Sequence, residues 1–248
     1  MTRSADKAKA RTACIVQARV GSTRLPGKVL EMLGEAPVLE HVLRRCQAIA
    51  GVDEVVCATV EGTDGDAVAS LAETLDVAVY RGSERDVLAR YHGAAHAVRA
   101  EVVLRVTSDC PLIDPAICAD VLRLREEAKA DYATNNMPPS WPHGLDCEAF
   151  TVEVLDQAAA TATAAEDHEH VTPWIRRNRA FHRVNLTGPG GDLTAQRWTL
   201  DYPEDLAFLR AIYQRLPAGG AARSWRATAE ILQREPQLAR INEGRRQR

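Results

Sequence analysis

Three cationic side chains follow the first apolar run of the chain and stand among glycines. Arg19, Arg24 and Lys28 belong to the segment "ACIVQARVGSTRLPGK", which also contains Gly21 and Gly27. Cations this close together repel one another unless an anion lies between them. Glycines let backbone N–H groups approach phosphate oxygens, and Arg and Lys neutralise their charge. The segment therefore predicts a loop that binds a nucleoside polyphosphate.

This loop differs from the P-loop pattern GxxxxGK[ST]. Five residues, 22–26, separate Gly21 from Gly27, and Val29 stands where that pattern has a metal-binding hydroxyl. An ordinary basic surface loop is the alternative interpretation of the same cations.

Two aspartates could supply the matching acidic groups. Asp109 ends the apolar run "VVLRVTSD", and Asp201 ends "QRWTLD". A carboxylate at the carboxyl end of a strand can hold Mg²⁺ against phosphates. The alternatives are a turn interaction for Asp109 and a helix-start role for Asp201, or for Glu204 and Asp205, while Asp114 is interpreted as a helix cap. Together with the cationic loop, Asp109 and Asp201 predict a magnesium–nucleotide site.

Alternating strands and helices must position these residues. Strands are predicted at 13–17, 54–60, 77–80, 102–109, 145–150, 181–186 and 196–201. Helices are predicted near 38–50, 65–75, 84–99, 115–129, 151–163 and 168–178, from Pro203 onward, and at 225–241. This alternation is typical of an α/β protein with a mostly parallel sheet and helices on both faces. Functional groups in such sheets lie at the carboxyl ends of the strands.

The composition limits the possible classes of function. The 248 residues are 46% hydrophobic and 26% charged, with a net charge of -3. This balance is that of a soluble globular protein and argues against a nucleic-acid partner. No apolar run approaches the roughly 18 to 20 residues of a membrane-spanning helix. Six cysteines at irregular spacings, without a CxxC pair, predict reduced thiols in a cytoplasmic protein.

One domain, at 13–242, is predicted between a disordered lead-in at 1–12 and a basic solvated tail at 243–248. The alternation loosens in the middle of the chain, where "NNMPPSWPHG" and "TGPGGD" mark loops, and an inserted lobe is expected at about 136–190. Trp141, Trp174 and Phe181 of this lobe suggest apolar surface that needs a partner. We therefore expect a homodimer.

The segment "QARVGSTRLPGKVLEMLGEAPVLEHVLRR" resembles the opening signature of the sugar cytidylyltransferases, which activate 3-deoxy-manno-octulosonate and acylneuraminates. The resemblance continues through "RGSERDVLARYHGAA", "RVTSDCPLIDP", "GLDCEAF", "EHVTPWI" and "WTLDYPEDL". It is closest to the branch named after a spore-coat polysaccharide biosynthesis protein. It implies a nucleotide-diphospho-sugar transferase fold of the GT-A type and a homodimer formed through the inserted lobe.

The resemblance also implies roles for residues. The loop that embraces the CTP phosphates is matched by Arg19, Ser22, Arg24 and Lys28. The Mg²⁺ carboxylates are matched by Asp109 and Asp201, and these two with Arg19 and Lys28 are the expected catalytic residues. A loop that flanks the nucleoside is matched by Gly82, Ser83 and Asp86. The acceptor side is matched by Asp146, Glu148, Glu169 and His170. His168 stands where the resemblance leads us to expect Arg.

The predicted function is transfer of CMP from CTP to an acidic sugar, with release of pyrophosphate, for a surface polysaccharide or glycoconjugate. Three alternatives stay open. One is a phosphonate acceptor. Another is a glycosyltransferase of the same fold, for which "DGD" at 64–66 would be the metal motif. The third is a nucleotide-binding regulator without turnover.

Histidine pairs offer a different metal chemistry. His168 and His170 are two residues apart, which does not place them on one helix face, so zinc is disfavoured there. His92 and His96 do share a helix face, but the sequence shows no third ligand nearby. They are interpreted as partly buried helix residues.

Overall fold

A seven-stranded sheet forms the centre of the molecule. The computed structural model describes residues 10–217 and 223–245. The strands of this sheet are β1 (Thr12–Gln17), β4 (Glu54–Val60), β5 (Ala78–Gly82), β6 (Val102–Thr107), β7 (Tyr132–Thr134), β8 (Glu148–Thr151) and β9 (Arg183–Asn185). A separate ribbon contains β2 (Met32–Leu33) and β3 (Ala36–Pro37). The strand order is β5-β4-β1-β6-β8-β7-β9, and only β8 pairs antiparallel with its neighbours. The mostly parallel sheet is confirmed.

Helices cover both faces of the sheet. They are α1 (Val38–Gln47), α2 (Asp66–Glu73), α3 (Val87–Ala97), α4 (Pro115–Glu127), α5 (Val152–Thr161), α6 (Ala165–His170), α7 (Pro173–Arg177), α8 (Pro203–Tyr213) and α9 (Trp225–Arg234). One core cluster contains buried residues of α1, α2, α4, α8 and α9, and a second contains those of α3, α5 and α7.

Strand β1 shows why the central runs are continuously apolar. Cys14 and Val16 lie in one core cluster, whereas Ala13 and Ile15 lie in the other. All four are completely buried. A strand covered on both faces has no solvent side, so it needs no polar alternation.

The predicted strand at 196–201 is wrong. Trp198 donates its N–H to the carbonyl of His143, but Leu200 donates to the carbonyl of Asp109. Because consecutive hydrogen bonds reach different segments, the run forms an isolated bridge between His143 and Arg197 instead of a strand. Asp201 therefore follows an irregular segment that is tied to the end of β6.

Two predicted helices end earlier in the structure than in the sequence-based prediction, because a left-handed residue or a proline interrupts them. The predicted helix at 168–178 is divided into α6 and α7, where Val171 adopts a left-handed φ of 71° and Pro173 starts a new helix. The last helix ends at Arg234, and Pro236 begins a 3₁₀ turn. Strand β7 has only three residues, which are too few to show a periodic pattern in the sequence.

Two predicted ends of the chain lie partly outside the described residues. These are 1–9 of the lead-in and 246–248 of the tail. Arg245 of the tail donates to Glu204, so this residue is tied to the domain. The elements of 136–190 include β8 and β9 of the main sheet, and an inserted dimerisation lobe stays a prediction.

All six cysteines are free and buried, as reduced thiols would be. Within the described ranges, no helix has the length and apolar character needed to cross a membrane.

Candidate active site

The carboxyl ends of the central strands open onto a cleft of about 1030 Å³. Its lining includes most of the predicted site residues, namely Arg19, Ser22, Arg24, Lys28, Asp86, Asp109, Glu169, His170 and Asp201. The sheet thus brings together groups that are far apart in the sequence. Gly82 and Ser83 do not line the cleft. Ser83 supports the loop that carries Asp86, because its Oγ accepts the N–H of Asp86 at 3.1 Å.

Lys28 lies between the two predicted metal ligands. Its Nζ donates to Asp109 Oδ2 at 2.9 Å, to Asp201 Oδ1 at 2.9 Å and to the carbonyl of Leu200 at 2.8 Å. These three bonds use all three N–H groups of the ammonium. The two aspartates therefore direct one carboxylate oxygen each at a common point.

The pKa values of this trio are set by a balance of burial and charge. Burial alone would lower the pKa of Lys28, but Asp109 and Asp201 outweigh it and raise that pKa. Burial alone would raise the pKa of each aspartate, but Lys28 keeps both pKa values below their ordinary value. All three groups are therefore charged at neutral pH.

The arrangement fits a divalent cation. Carboxylate oxygens are the ligands that Mg²⁺ prefers, and two of them converge on one point here. The ammonium of Lys28 already occupies that point, so a cation at the same place requires Lys28 to move.

A buried arginine, which the sequence pattern did not indicate, fixes the position of the Asp201 carboxylate. Arg197 Nη2 donates to Asp201 Oδ2 at 2.7 Å, and its Nε donates to Asp205 Oδ1 at 2.9 Å. Asp205 also accepts the N–H groups of Asp201 and Tyr202 at the start of α8. The helix-start role considered for Asp201 thus belongs to Asp205, and the Asp201 carboxylate faces the cleft.

Asp109 is fixed by its own turn and by the irregular segment before α8. Thr107 Oγ1 donates to Asp109 Oδ1 at 2.6 Å. The carbonyl of Asp109 accepts from Thr199 Oγ1 at 3.0 Å and from the N–H of Leu200 at 2.8 Å. These bonds explain how two aspartates so distant in sequence become neighbours.

The cationic loop after β1 is closed by its second glycine. Gly27 has a left-handed φ of 72°, and its N–H donates to the carbonyl of Val20 at 3.0 Å. A glycine adopts this conformation without steric cost. The following 3₁₀ turn begins at Lys28, which explains why "PGK" directs its lysine inward.

Two arginines of the loop already have partners. Arg24 donates to Asp201 Oδ1 at 3.1 Å and to Tyr202 Oη at 3.2 Å. Arg19 donates to Glu84 Oε1 at 3.2 Å, in an exposed pair. Both side chains are about half exposed, so each can turn toward an anion in the cleft.

The start of α3 forms another part of the cleft. Asp86 caps this helix by accepting the N–H of Ala89 at 2.8 Å. Its second oxygen lies 2.9 Å from His168 Nδ1, and this hydrogen bond raises the pKa of His168. His168, which replaces the expected Arg, therefore pairs with Asp86 fully only when protonated. Arg85 and Arg90 line the same wall and were not singled out from the sequence.

The four acceptor candidates are divided between two places. Glu169 and His170 line the large cleft, whereas Asp146 and Glu148 line an adjoining cavity of about 210 Å³. The smaller cavity shares Asp109 and Asp201 with the cleft. Its wall also contains Arg105, Asn136, His143 and Thr199, which the sequence reading missed.

Glu148 is the anchor of a buried charge network. It accepts from Arg105 Nη1 at 2.5 Å, Tyr132 Oη at 2.5 Å and Arg176 Nε at 3.0 Å. Burial would raise its pKa, but Arg105 and Arg176 outweigh this and lower the pKa to about 2. Asp146 accepts the N–H of Gly144 and pairs with His143, whose pKa it raises.

The alternative metal motifs lie apart from this arrangement. None of residues 64–66 lines the cleft: 63–65 form a 3₁₀ turn, and Asp66 begins α2 and pairs with Arg81. The sequence around His92 and His96 holds no third ligand, but in the fold Asp156 of α5 lies against both. His92 is partly buried as expected, whereas His96 is exposed. The folding of α5 onto α3 supplies a residue that the local sequence could not reveal.

An α/β sheet that gathers two carboxylates and a cationic loop at its carboxyl edge provides the charged groups that a nucleotidyltransferase needs. The model of the cytidylyltransferase family matches residues 13–215. The chain belongs to this family.

Individual relatives agree with that assignment. The spore coat polysaccharide biosynthesis protein SpsF of Bacillus subtilis is 33% identical over 208 residues, which cover 81% of this chain and 85% of that protein. The 3-deoxy-manno-octulosonate cytidylyltransferase of Mesorhizobium japonicum is 39% identical over 127 residues, covering 50% and 51% of the two chains. The structure of a cytidylyltransferase from Leptospira borgpetersenii has a TM-score of 0.87 at 27% identity, covering 93% of this chain and 97% of that one.

Proposed function

We propose that the protein transfers CMP from CTP to an acidic sugar and releases pyrophosphate, in the biosynthesis of a surface polysaccharide or glycoconjugate. The convergence of Asp109 and Asp201 on Lys28 carries this proposal, because a metal–nucleotide needs both carboxylates and cations. The relatives named for 3-deoxy-manno-octulosonate and for spore coat polysaccharide support the acceptor class.

CTP would lie along the large cleft. The phosphates would be held by Arg19, Ser22, Arg24 and Lys28, and the nucleoside would be flanked by the segment of Gly82, Ser83 and Asp86. Arg85 and Arg90 add positive charge to the same wall. A nucleoside triphosphate carries about four negative charges near neutral pH, so several cations must converge on it.

Asp109 and Asp201 would hold Mg²⁺. The bound ion supplies positive charge that polarises phosphate oxygens. With the ion held between the carboxylates, Lys28 would lose Asp109 and Asp201 as partners and would face the polyphosphate. Arg197 would keep Asp201 in place during this exchange, because it binds the other carboxylate oxygen.

The reaction requires no nucleophile from the protein. A hydroxyl oxygen of the acceptor forms a bond to the α-phosphorus and loses its proton to solvent. The bond from the α-phosphorus to the oxygen that joins it to the β-phosphorus breaks, and pyrophosphate leaves with that oxygen. Arg19 and Lys28 would stabilise the charge on the transferred and leaving oxygens. Cys110, which lies beside Asp109, is unsuited to attack because burial raises its pKa well above the ordinary value.

The acceptor would enter the smaller cavity beside the two aspartates. Asp146 and Glu148 would orient His143 and Arg105, which would donate hydrogen bonds to the acceptor. Glu169 and His170 would lie on the outer side. A phosphonate oxygen in place of the sugar hydroxyl is the nearest alternative acceptor.

A pyrophosphate-release assay tests the proposal. Purified protein is incubated with CTP, Mg²⁺ and each of a series of acidic sugars, and the product is identified by mass spectrometry. We expect a CMP-sugar with at least one acid, and much weaker turnover with UTP, ATP or GTP. Release only with phosphonates would change the acceptor class, and sugar transfer from a nucleotide-sugar without pyrophosphate would indicate a glycosyltransferase. Tight CTP binding without turnover with any acceptor would favour a regulator.

The homodimer also stays a proposal. Trp141 packs edge-on against Trp225, and Trp174 packs against Phe181, so these side chains have partners within the chain. Met137, which is 37% exposed, offers further apolar surface in the same part of the chain. Light scattering at micromolar concentration tests this, and a monomeric mass would remove the claim.

A further inference from the structure

We propose that His92, His96 and Asp156 form a second metal site, which binds a divalent transition-metal ion such as Zn²⁺. The two histidines lie one turn apart on α3, and Asp156 lies on α5. None of the three lines the cleft that contains Asp109 and Asp201. The site is therefore separate from the proposed reaction.

The three donor atoms already converge. His92 Nε2 lies 2.9 Å from Asp156 Oδ1, and His96 Nε2 lies 2.7 Å from the same oxygen. One donor atom from each residue lies within 4.8 Å of the other two. Tetrahedral zinc with bonds of about 2.0–2.1 Å places its donor atoms about 3.3 Å apart. Small side-chain rotations would open the cluster enough to admit the ion.

Rigid helices carry these donors. The i, i+4 spacing places His92 and His96 on one face of α3. Tyr91 and Ala95 of α3 and Leu155 of α5 are completely buried in the same core cluster. The site is thus held by packed elements rather than by a loop, which reduces the cost of ordering the ligands.

The chemistry of the donors selects the class of metal. Two imidazole nitrogens with one carboxylate oxygen suit Zn²⁺ and its neighbours, whereas Mg²⁺ prefers oxygen ligands alone. The side chains of His92, His96 and Asp156 are 37%, 51% and 44% exposed, so solvent reaches the cluster. Water can therefore complete the coordination. Within the parts of the chain that the structure describes, Asp156 has no Lys or Arg partner that would compete.

Zinc titration of the untagged protein tests the proposal. Calorimetry is performed with ZnCl₂ in excess Mg²⁺, so that the oxygen ligands of the cleft are occupied. The proteins are wild type, His92→Ala, His96→Ala, Asp156→Ala and the control His182→Ala, which changes an exposed histidine outside the cluster. Circular dichroism verifies that each variant is folded, and Co²⁺ serves as a spectroscopic probe of four-coordinate nitrogen and oxygen ligation.

We expect one zinc equivalent to bind wild type and His182→Ala alike. Each of the three cluster variants should bind it at least about tenfold more weakly, since one of three protein ligands is lost. The increase in thermal stability on adding Zn²⁺ and the visible absorption of bound Co²⁺ should also be lost. Superimposable isotherms for wild type and the folded cluster variants would overturn the proposal, as would wild type that binds no zinc.

Discussion

The Nζ atom of Lys28 lies 2.9 Å from Oδ1 of Asp201, and each of the two side chains is only 13% exposed. This ion pair crosses from the loop after the first strand to the segment before α8. It joins the cationic and acidic parts of the candidate site in one contact. Because Asp109 binds the same ammonium, the pair is also the place where a metal would have to enter.

Replacement of the two aspartates tests the metal site. Asp109→Asn and Asp201→Asn each keep the size of the side chain but remove the charge that would hold a cation. We expect each to reduce kcat/KM for CTP-dependent pyrophosphate release by at least about 100-fold. Asp120→Asn on the surface of α4 is the matched control and should retain full activity. An Asp201→Asn protein as active as wild type would show that Asp201 is not a metal ligand.

Replacement of Lys28 should separate metal binding from turnover. In Lys28→Met no ammonium competes for the point between the carboxylates, so Mn²⁺ should bind the nucleotide-free protein several-fold more tightly. Turnover should fall by about 100-fold or more, because a cation facing the phosphates is lost. Calorimetry with MnCl₂ and the pyrophosphate assay measure the two effects, with Arg44→Met as the surface control. Weaker Mn²⁺ binding by Lys28→Met would contradict the proposed competition.

Glu148 should make the stability depend on acid pH. The pKa of Glu148, about 2, lies below the ordinary value of 4.5. Its ionised form therefore contributes fully to the free energy of unfolding above pH 4.5. It is lost as the pH falls toward 2. Glu148→Gln should lower the free energy of unfolding by about 3 kcal/mol at pH 7, since Arg105 and Arg176 lose a buried partner. Denaturant unfolding of both proteins from pH 7 downward should show the difference narrowing below pH 4.5. If the difference in free energy of unfolding between the two proteins does not change with pH, Glu148 is not the titrating group. Glu127→Gln changes an exposed glutamate and is the control.

His168 should make the rim of the cleft sensitive to pH near neutrality. Asp86 raises the pKa of His168, so their ion pair is complete below pH 6.5 and is lost as the pH rises through the folded-state pKa. In His168→Arg the charge persists at higher pH. We expect KM for CTP to increase with pH in wild type and to change less in the variant. The measurement is KM between pH 6 and 9, and parallel profiles for the two proteins would rule out this role for His168.

The sequence by itself determined the fold class of the protein. Continuous apolar runs such as 54–60 must be buried on both sides, and their alternation with helical patterns requires a parallel sheet. The position of Asp109 after such a run placed it at the carboxyl edge of the sheet, and the cationic loop was evident from its spacing. These are local signals, because a few consecutive residues are enough to indicate the backbone geometry and the burial pattern of a strand or helix.

Only the tertiary structure decided which distant groups meet. Arg197 looks like one polar residue in an apolar run, yet it is buried and holds Asp201 and Asp205. Asp156 looks like one acid on a helix, but it lies against His92 and His96. A side chain's partner across the fold depends on how helices and loops pack around the sheet. That packing is set by the sum of many weak contacts, so no short stretch of sequence reveals it.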